Sequence, residues 1–271
     1  DSVNPHFRGI AKNSSSIFMI STEKPAVIYE VSKKDNLVTK VFEDKNPNAF
    51  YNGIQFWNDY EGIAMGDPQN GCLSVVITRD AGKTWIKTPC SNLPKIEQGE
   101  AGFAASNSSL VVKGDNTWIV TGGTKARIFF SKDKGMTWTV HNTPINQGKP
   151  MAGIFTADFY NDTIGIIAGG DYENQTANTQ NKAITIDGGK TWSLIGEGQG
   201  PGYTSCIQFV PGSGGKQLVA LGANGLFFSE DSGIKWKQIN TNSNYHTLRF
   251  LNKHVAIAAG KNRIDKLTFT R

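Results

Sequence analysis

The sequence predicts an all-β protein, a β-propeller of four-stranded blades. Three observations lead there. Glycine supplies 30 of the 271 residues, too many for long packed helices, because each interior Gly costs about 1 kcal/mol against Ala. An eight-residue turn recurs four times, each copy closing on Trp. Short apolar stretches alternate with these turns along the chain, as in strands joined by tight connections.

The recurring turn runs from Thr78 to Trp85, Ser131 to Trp138, Thr185 to Trp192 and Ser229 to Trp236. Its Asp80, Asp133, Asp187 and Asp231 stand 53, 54 and 44 residues apart. An Asp in a tight turn accepts hydrogen bonds from its own downstream backbone. Gly82, Gly135, Gly189 and Gly233, two positions later, supply the positive φ such a turn needs. A Ser or Thr on the flank adds a local hydrogen bond, and Trp85, Trp138, Trp192 and Trp236 cover the turn with apolar surface. An apolar run precedes each copy, for example Leu73–Ile77, so each turn is the tip of a β-hairpin.

A second element lies upstream. Ile54-Gln55-Phe56 leads to Gly62–Gly66, Ala157-Asp158-Phe159 to Gly165–Gly169, Ile207-Gln208-Phe209 to Leu218–Gly222, and Leu248-Arg249-Phe250 to Val255–Gly260. Joined to the hairpins, these give four strands in a period of roughly 45 to 50 residues, the mark of a propeller blade. One domain over 1–271 is expected, with blades at 6–47 (a degenerate turn around Ser32 to Asp35), 48–98, 99–148, 149–199 and 200–243. Residues 244–271 form an incomplete sixth. Closing a ring removes exposed edges. Either residues 1–5 close it, or a further N-terminal blade makes a seven-bladed full-length parent; the second is the expectation.

Composition narrows the function. Lys and Arg number 28 against 23 Asp and Glu, a net charge of +5 with pI near 9.0. The charges are dispersed, which argues against a nucleic-acid partner. No apolar run approaches the roughly 18 to 20 residues of a bilayer span. The polar opening Asp1 to His6 is not a signal peptide, though a mature exported protein would have lost one. Cys72 and Cys90 flank the first turn, where a cross-strand disulfide or two reduced thiols are both open; a disulfide implies an oxidising compartment. Cys206 reads as a small buried hydrophobe. His6, His141, His246 and His254 are scattered, with no metal-type spacing, and no nucleotide, haem or flavin motif appears. No metal and no cofactor are expected.

The four turns resemble the Asp-box of sialidases and other BNR-repeat propellers. Across all 271 residues the pattern resembles the photosystem II stability/assembly factor-like propellers, including a Bacteroidetes-type branch often called oxidoreductase. The resemblance is specific for fold and not for activity, since the turn sits on the outer rim. It implies that the loops joining strand 2 to strand 3, and one blade to the next, share the face opposite the turns. The first group holds Asp67, Lys125, Arg127, Asp171, Tyr172, Asn224, Lys261 and Arg263. The second holds Glu97, Glu100, Met151, Tyr203 and Tyr245. Mixed charges with Tyr suit a protein or peptide partner, and Asp67, Glu100, Lys125, Arg127, Asp171, Tyr172, Tyr203, Tyr245 and Arg263 form the candidate surface. The Asn-rich loop Tyr172–Asn181 is expected to be mobile.

A sialidase needs three arginines for its substrate carboxylate. Arg8, Arg127 and Arg263 would have to supply them, and Phe7-Arg8-Gly9-Ile10 lacks the proline of the sialidase motif. A glycosidase needs two facing carboxylates, and no pair stands out among Asp67, Glu97, Glu100 and Asp171. The expected function is therefore a non-catalytic, exported propeller, periplasmic or extracellular, that binds a protein or peptide while a membrane-associated complex is assembled. A carbohydrate-active or glycan-binding propeller is the alternative.

Overall fold

Strands account for nearly all the regular structure in the computed structural model, which describes residues 5–22, 24–242 and 244–269. Among these residues the single helical element is a 3₁₀ turn at Cys90–Asn92, and no helix is long and apolar enough to cross a membrane.

The first sheet contains β1 (Phe7–Lys12), β2 (Ser16–Ser21), β3 (Ala26–Ser32) and β4 (Val38–Asp44). The second contains β5 (Tyr51–Phe56), β6 (Gly62–Gln69), β7 (Cys72–Thr78) and β8 (Ile86–Lys87). After the short β9 (Glu100–Ala101), the third is made of β10 (Leu110–Lys113), β11 (Asn116–Val120), β13 (Arg127–Ser131) and β14 (Thr139–Asn142), with β12 (Gly122–Gly123) between β11 and β13 in sequence. The fourth contains β15 (Ala152–Phe159), β16 (Gly165–Asp171), β17 (Lys182–Thr185) and β18 (Ser193–Leu194). The fifth contains β19 (Thr204–Phe209), β20 (Leu218–Gly222), β21 (Gly225–Ser229) and β22 (Lys237–Asn240), and the sixth only β23 (Tyr245–Asn252), β24 (Val255–Gly260) and β25 (Arg263–Thr268). All pairings are antiparallel and follow chain order within each blade, apart from the irregular third. The molecule is a six-bladed β-propeller whose last blade has three strands.

The third blade departs from the pattern because its innermost strand is broken. β9 and β12 pair with each other and attach to the fourth sheet through Gly122 and Gly153. A Cβ on Gly153 would lie 2.3 Å from the Gly122 Cα, so only glycine permits this approach.

Apolar side chains alternate into both faces of the inner strands and pack blade on blade. Phe18, Ile28 and Ile54 fill the first interface, Met65, Leu110 and Phe129 the second, and Trp118, Ile154 and Phe159 the third. Ile166, Ile207 and Leu218 fill the fourth, and Leu221, Leu248 and Ala258 the fifth. Among the described residues no buried cluster joins the sixth blade to the first. The faces the two leave unpacked carry Ile10, Leu251 and Ile264 at 61%, 66% and 76% exposure.

Polar side chains stitch the innermost strands together. Asn107 Oδ1 accepts the Ile54 N–H at 2.9 Å, Thr156 Oγ1 the Ile207 N–H at 3.1 Å, and Asp158 Oδ2 the Phe209 N–H at 2.8 Å. These strands have no neighbour toward the axis, and side chains from the adjacent blade satisfy backbone donors there.

The recurring turns have one geometry. Gly82, Gly135, Gly189 and Gly233 have φ between 82° and 93°. In the first turn the Gly82 N–H donates to Thr78 Oγ1 at 2.9 Å, the Thr84 N–H to Asp80 Oδ1 at 2.9 Å, and Trp85 Nε1 to the Gly82 carbonyl at 3.1 Å. The same bonds recur around Asp133, Asp187 and Asp231. In three copies a Thr hydroxyl also donates to the second Asp oxygen. In the fourth Lys235 replaces that Thr, and the Lys235 N–H and the Ser229 hydroxyl donate to Asp231 Oδ1, both at 2.9 Å. Burial works against the charged form of Asp187, but the Thr191 and Thr185 hydrogen bonds outweigh it and hold the carboxyl near 2. Cys72 and Cys90 are joined by a disulfide with Cα atoms 5.6 Å apart, and Cys206 is a buried free thiol.

Candidate functional site

The innermost strands begin around a funnel of about 740 Å³ on the face opposite the recurring turns. Every blade contributes to its lining. Aromatic rings dominate the wall: Phe50, Phe103, Phe155, Tyr172, Tyr203 and Tyr245. Phe103 and Phe155 stack at 4.0 Å, Tyr203 meets Phe155 edge-on at 4.8 Å, and Tyr172 meets Tyr203 edge-on at 5.1 Å. Edge-to-face contacts of this kind lock rings into one arrangement, so the wall is preformed. Phe103 reaches the axis because the broken inner strand of the third blade carries residues 102–105 into the funnel.

Among the described residues three charged or titratable side chains other than tyrosine line the funnel: Asp67 from β6, Arg8 from β1 and His246 from β23. Burial raises the Asp67 carboxyl to about 6, against the hydrogen bonds from Asn52 Nδ2 at 2.8 Å and the Gly102 backbone. Asn52 is itself fully buried, and its Oδ1 has no donor.

The structure sorts the residues the sequence assigned to this face into two groups. Asp67, Tyr172, Tyr203, Tyr245 and Met151 line the funnel. Glu100 does not: its side chain is fully buried and clasped by Arg127, whose Nε lies 3.0 and 3.1 Å from the two carboxylate oxygens. Arg127 also rests over the Phe129 ring at 5.3 Å and reaches Glu97 at 3.9 Å. Asp171 is buried, paired with Lys149 at 2.8 Å and accepting the Glu173 N–H. Arg263 pairs with Asp265 at 2.6 Å and lies over Tyr245 at 4.6 Å, which places it behind the wall. Lys125 is exposed on the turn before β13. Of the three arginines a sialidase would require, Arg8 alone lines the funnel, because Arg127 and Arg263 are held by their own carboxylates.

The loop Tyr172–Asn181 is tied down, contrary to the expectation of mobility. Its Asn side chains bond to carbonyls of the next segment. Asn178 Nδ2 donates to Gly200 at 2.9 Å and Asn181 Nδ2 to Gly202 at 2.6 Å, while the Tyr203 N–H donates to the Gln175 carbonyl at 2.9 Å. Beneath it Lys182 is fully buried. Burial lowers its ammonium to about 8, and it donates to Asn178 and Asn181 at 2.9 and 2.7 Å. The loop thus holds Tyr172 and Tyr203 at the funnel mouth.

Sequence reasoning missed Phe50, Phe103, Phe155 and His246, and considered Arg8 only for a sialidase. The available signal was positional: Phe50 and His246 stand beside the start of an innermost strand.

No protein-family model matches the chain, and no curated protein matches it in sequence. Solved structures are similar in fold. YCF48 bound to D1 peptide aligns over 100% of this chain and 80% of its own, with a TM-score of 0.67 and 11% identity. An ancestral GH74 enzyme aligns over 98% of this chain with a TM-score of 0.67 and 11% identity, and the GH74 enzyme of Niastella koreensis over 95% with 0.56 and 14%. The chain spans little more than a third of either GH74 enzyme, 37% and 36%. At these identities the likeness is one of fold.

Proposed function

We propose that the chain is a binding platform that takes an extended peptide or protein segment into the aromatic funnel. One observation carries this reading: among the described residues the funnel has a preformed aromatic wall and one carboxylate, Asp67. Hydrolysis of a glycosidic bond uses two carboxylates roughly 5 to 9.5 Å apart, and the other acids assigned to this face are engaged elsewhere. Aromatic anchors in a concave, preorganised site are the usual sources of peptide affinity. The likeness to a propeller solved with a peptide supports the same reading. Glycan binding is the second reading, favoured by rings such as Tyr172 on which a sugar can stack and by the GH74 likeness.

The proposal extends to kinship and setting. The shared geometry of the four Asp-Gly-Trp turns supports a place among Asp-box propellers. The disulfide supports work in an oxidising, exported location, where a membrane-associated complex would be the partner. The unpacked faces of the first and last blades support a seventh blade between them.

The test is parallel probing of a peptide array and a glycan array with the wild-type chain and Tyr172→Ala. Peptide binding that falls about tenfold or more in the variant supports the platform. Retention of glycans alone, or peptide binding indifferent to Tyr172, overturns it.

A further inference from the structure

We propose that the funnel is a receptor for a cationic group, the ammonium or guanidinium of a bound peptide, with Asp67 as counter-ion and the rings of Phe103, Phe155, Tyr172 and Tyr203 as the wall against which it rests. This deepens the peptide-platform reading and rests on it.

Three observations lead there. The first is charge accounting on the funnel face. Glu97 and Glu100 face Arg127, and Asp171 faces Lys149. Asp67 is the carboxylate of that predicted set without a cationic partner among the described residues, and it is the one that lines the funnel. The second is an imbalance of donors and acceptors. Asp67 receives Asn52 Nδ2 and the Gly102 backbone N–H, which leaves acceptor capacity on the carboxylate unused. The Asn52 Oδ1 behind it has no donor. An ammonium brings three N–H donors and a guanidinium five, with no acceptors. The third is the wall. Ring faces carry negative potential and attract cations, more strongly where water is displaced, and the aliphatic stem of Lys or Arg packs against the same rings.

Burial has already raised Asp67, so a desolvated carboxylate awaits a counter-charge at neutral pH. An anionic ligand would meet that carboxylate, and a neutral one would leave it unpaired. The other ionisable groups lining the funnel are Arg8, His246 and the tyrosines Tyr172, Tyr203 and Tyr245. Arg8 and His246 come from the first and sixth blades, and neither pairs with Asp67.

The experiment uses a blocked peptide library, selected on the intact chain, with each binder resynthesised in three forms: Lys or Arg retained, that residue replaced by norleucine, and norleucine with a free N-terminus. Affinities are measured at pH 5.0 and 7.5 for wild type and Asp67→Asn, with circular dichroism as the check on folding. The expected result is a loss of about tenfold or more on the norleucine change in wild type and little loss in Asp67→Asn. Binding of the cationic peptide should tighten from pH 5.0 to 7.5 by more in wild type than in Asp67→Asn, which keeps the funnel's other ionisable groups. Recovery of affinity by the free N-terminus assigns the cation to the terminal amine; failure to recover assigns it to the side chain. Equal affinity for Lys and norleucine peptides, or unchanged binding by Asp67→Asn, overturns the receptor while leaving the platform standing. If no peptide is selected, the platform reading fails, and titration with n-butylammonium against n-butanol still decides the receptor. Amide shifts at Asn52 and Gly102 for the cation alone support it, and no shifts overturn it.

Discussion

Replacing Asp67 by Asn should stabilise the protein at neutral pH and leave it unchanged in acid. The carboxyl is raised from its ordinary 3.8 to about 6, chiefly by burial. Between those values the folded chain holds a proton that the unfolded chain has released. Wild-type stability therefore falls as pH rises from about 4 to about 7, and the whole penalty is present above that window. A change of this size corresponds to about 3 kcal/mol between the two protonation states as an upper bound. Solvent at the funnel mouth reduces it, so about 1–2 kcal/mol is expected. Asparagine keeps the shape and an acceptor for Asn52 Nδ2 without the charge. For a chain of this length that gain raises Tm by about 2–6 °C at pH 7.5. The assay is thermal unfolding of both proteins at pH 4.0 and 7.5. Other carboxylates titrate alike in the two chains and cancel in the difference. An equal Tm difference at both pH values, or a less stable Asp67→Asn at pH 7.5, would refute the reasoning.

Three further predictions concern the scaffold. Lys235→Thr restores the hydroxyl that the fourth turn lacks and should stabilise by about 0.5–1.5 kcal/mol in urea unfolding; no gain would mean that the second Asp231 oxygen is already satisfied by water. Gly82→Ala should lose about 2–4 kcal/mol, because φ is +89° and the new Cβ would lie 2.3 Å from the Phe18 ring. Gly71→Ala, with φ +84° and open space around its Cβ, serves as the control and should lose only about 1 kcal/mol. Removing the disulfide with Cys72→Ser and Cys90→Ser releases a cross-link spanning 18 residues and should lower stability by about 3 kcal/mol; a wild-type urea midpoint insensitive to reductant would contradict this.

The parts of the fold legible in the sequence are those made by local chemistry. Asp187, Gly189 and Trp192 lie within six residues of one another, and every bond that defines their turn is internal to it. Three or four strands per unit followed from repetition of such turns. The funnel was harder to read because it is made by ring closure. Phe155 is an apolar residue in an apolar strand, indistinguishable in sequence from Phe159, yet one faces Phe103 and Tyr203 at the axis and the other stacks on Trp118 between blades. The charged residues misled for a related reason. Glu100 and Arg127 are 27 residues apart, and their clasp depends on the pairing of β12 (Gly122–Gly123) with β9, a few residues before the start of β13. The structure places Glu100 in β9 and Arg127 at the start of β13, and a list of loop residues cannot tell a charge that is satisfied from one that is free.

That distinction gives the funnel its chemistry. A carboxylate paired as Glu100 is paired has little left to offer a ligand, because its lone pairs are filled and its charge is neutralised. Asp67 holds the opposite position: partly desolvated, hydrogen-bonded by neutral donors, and without a cationic partner among the described residues. Such a group destabilises the empty fold at neutral pH, and a ligand that removes the penalty gains what the fold loses. Recovering the expected 1–2 kcal/mol corresponds to roughly 5- to 30-fold in affinity before any contact with the rings. The aromatic wall binds apolar stems with little regard to pH, whereas the Asp67 contribution vanishes as the carboxyl protonates below about 6. Selectivity for a cation and the Asp67 share of the pH dependence therefore arise from one atom group, and Asp67→Asn should remove both together while leaving the weaker aromatic binding in place.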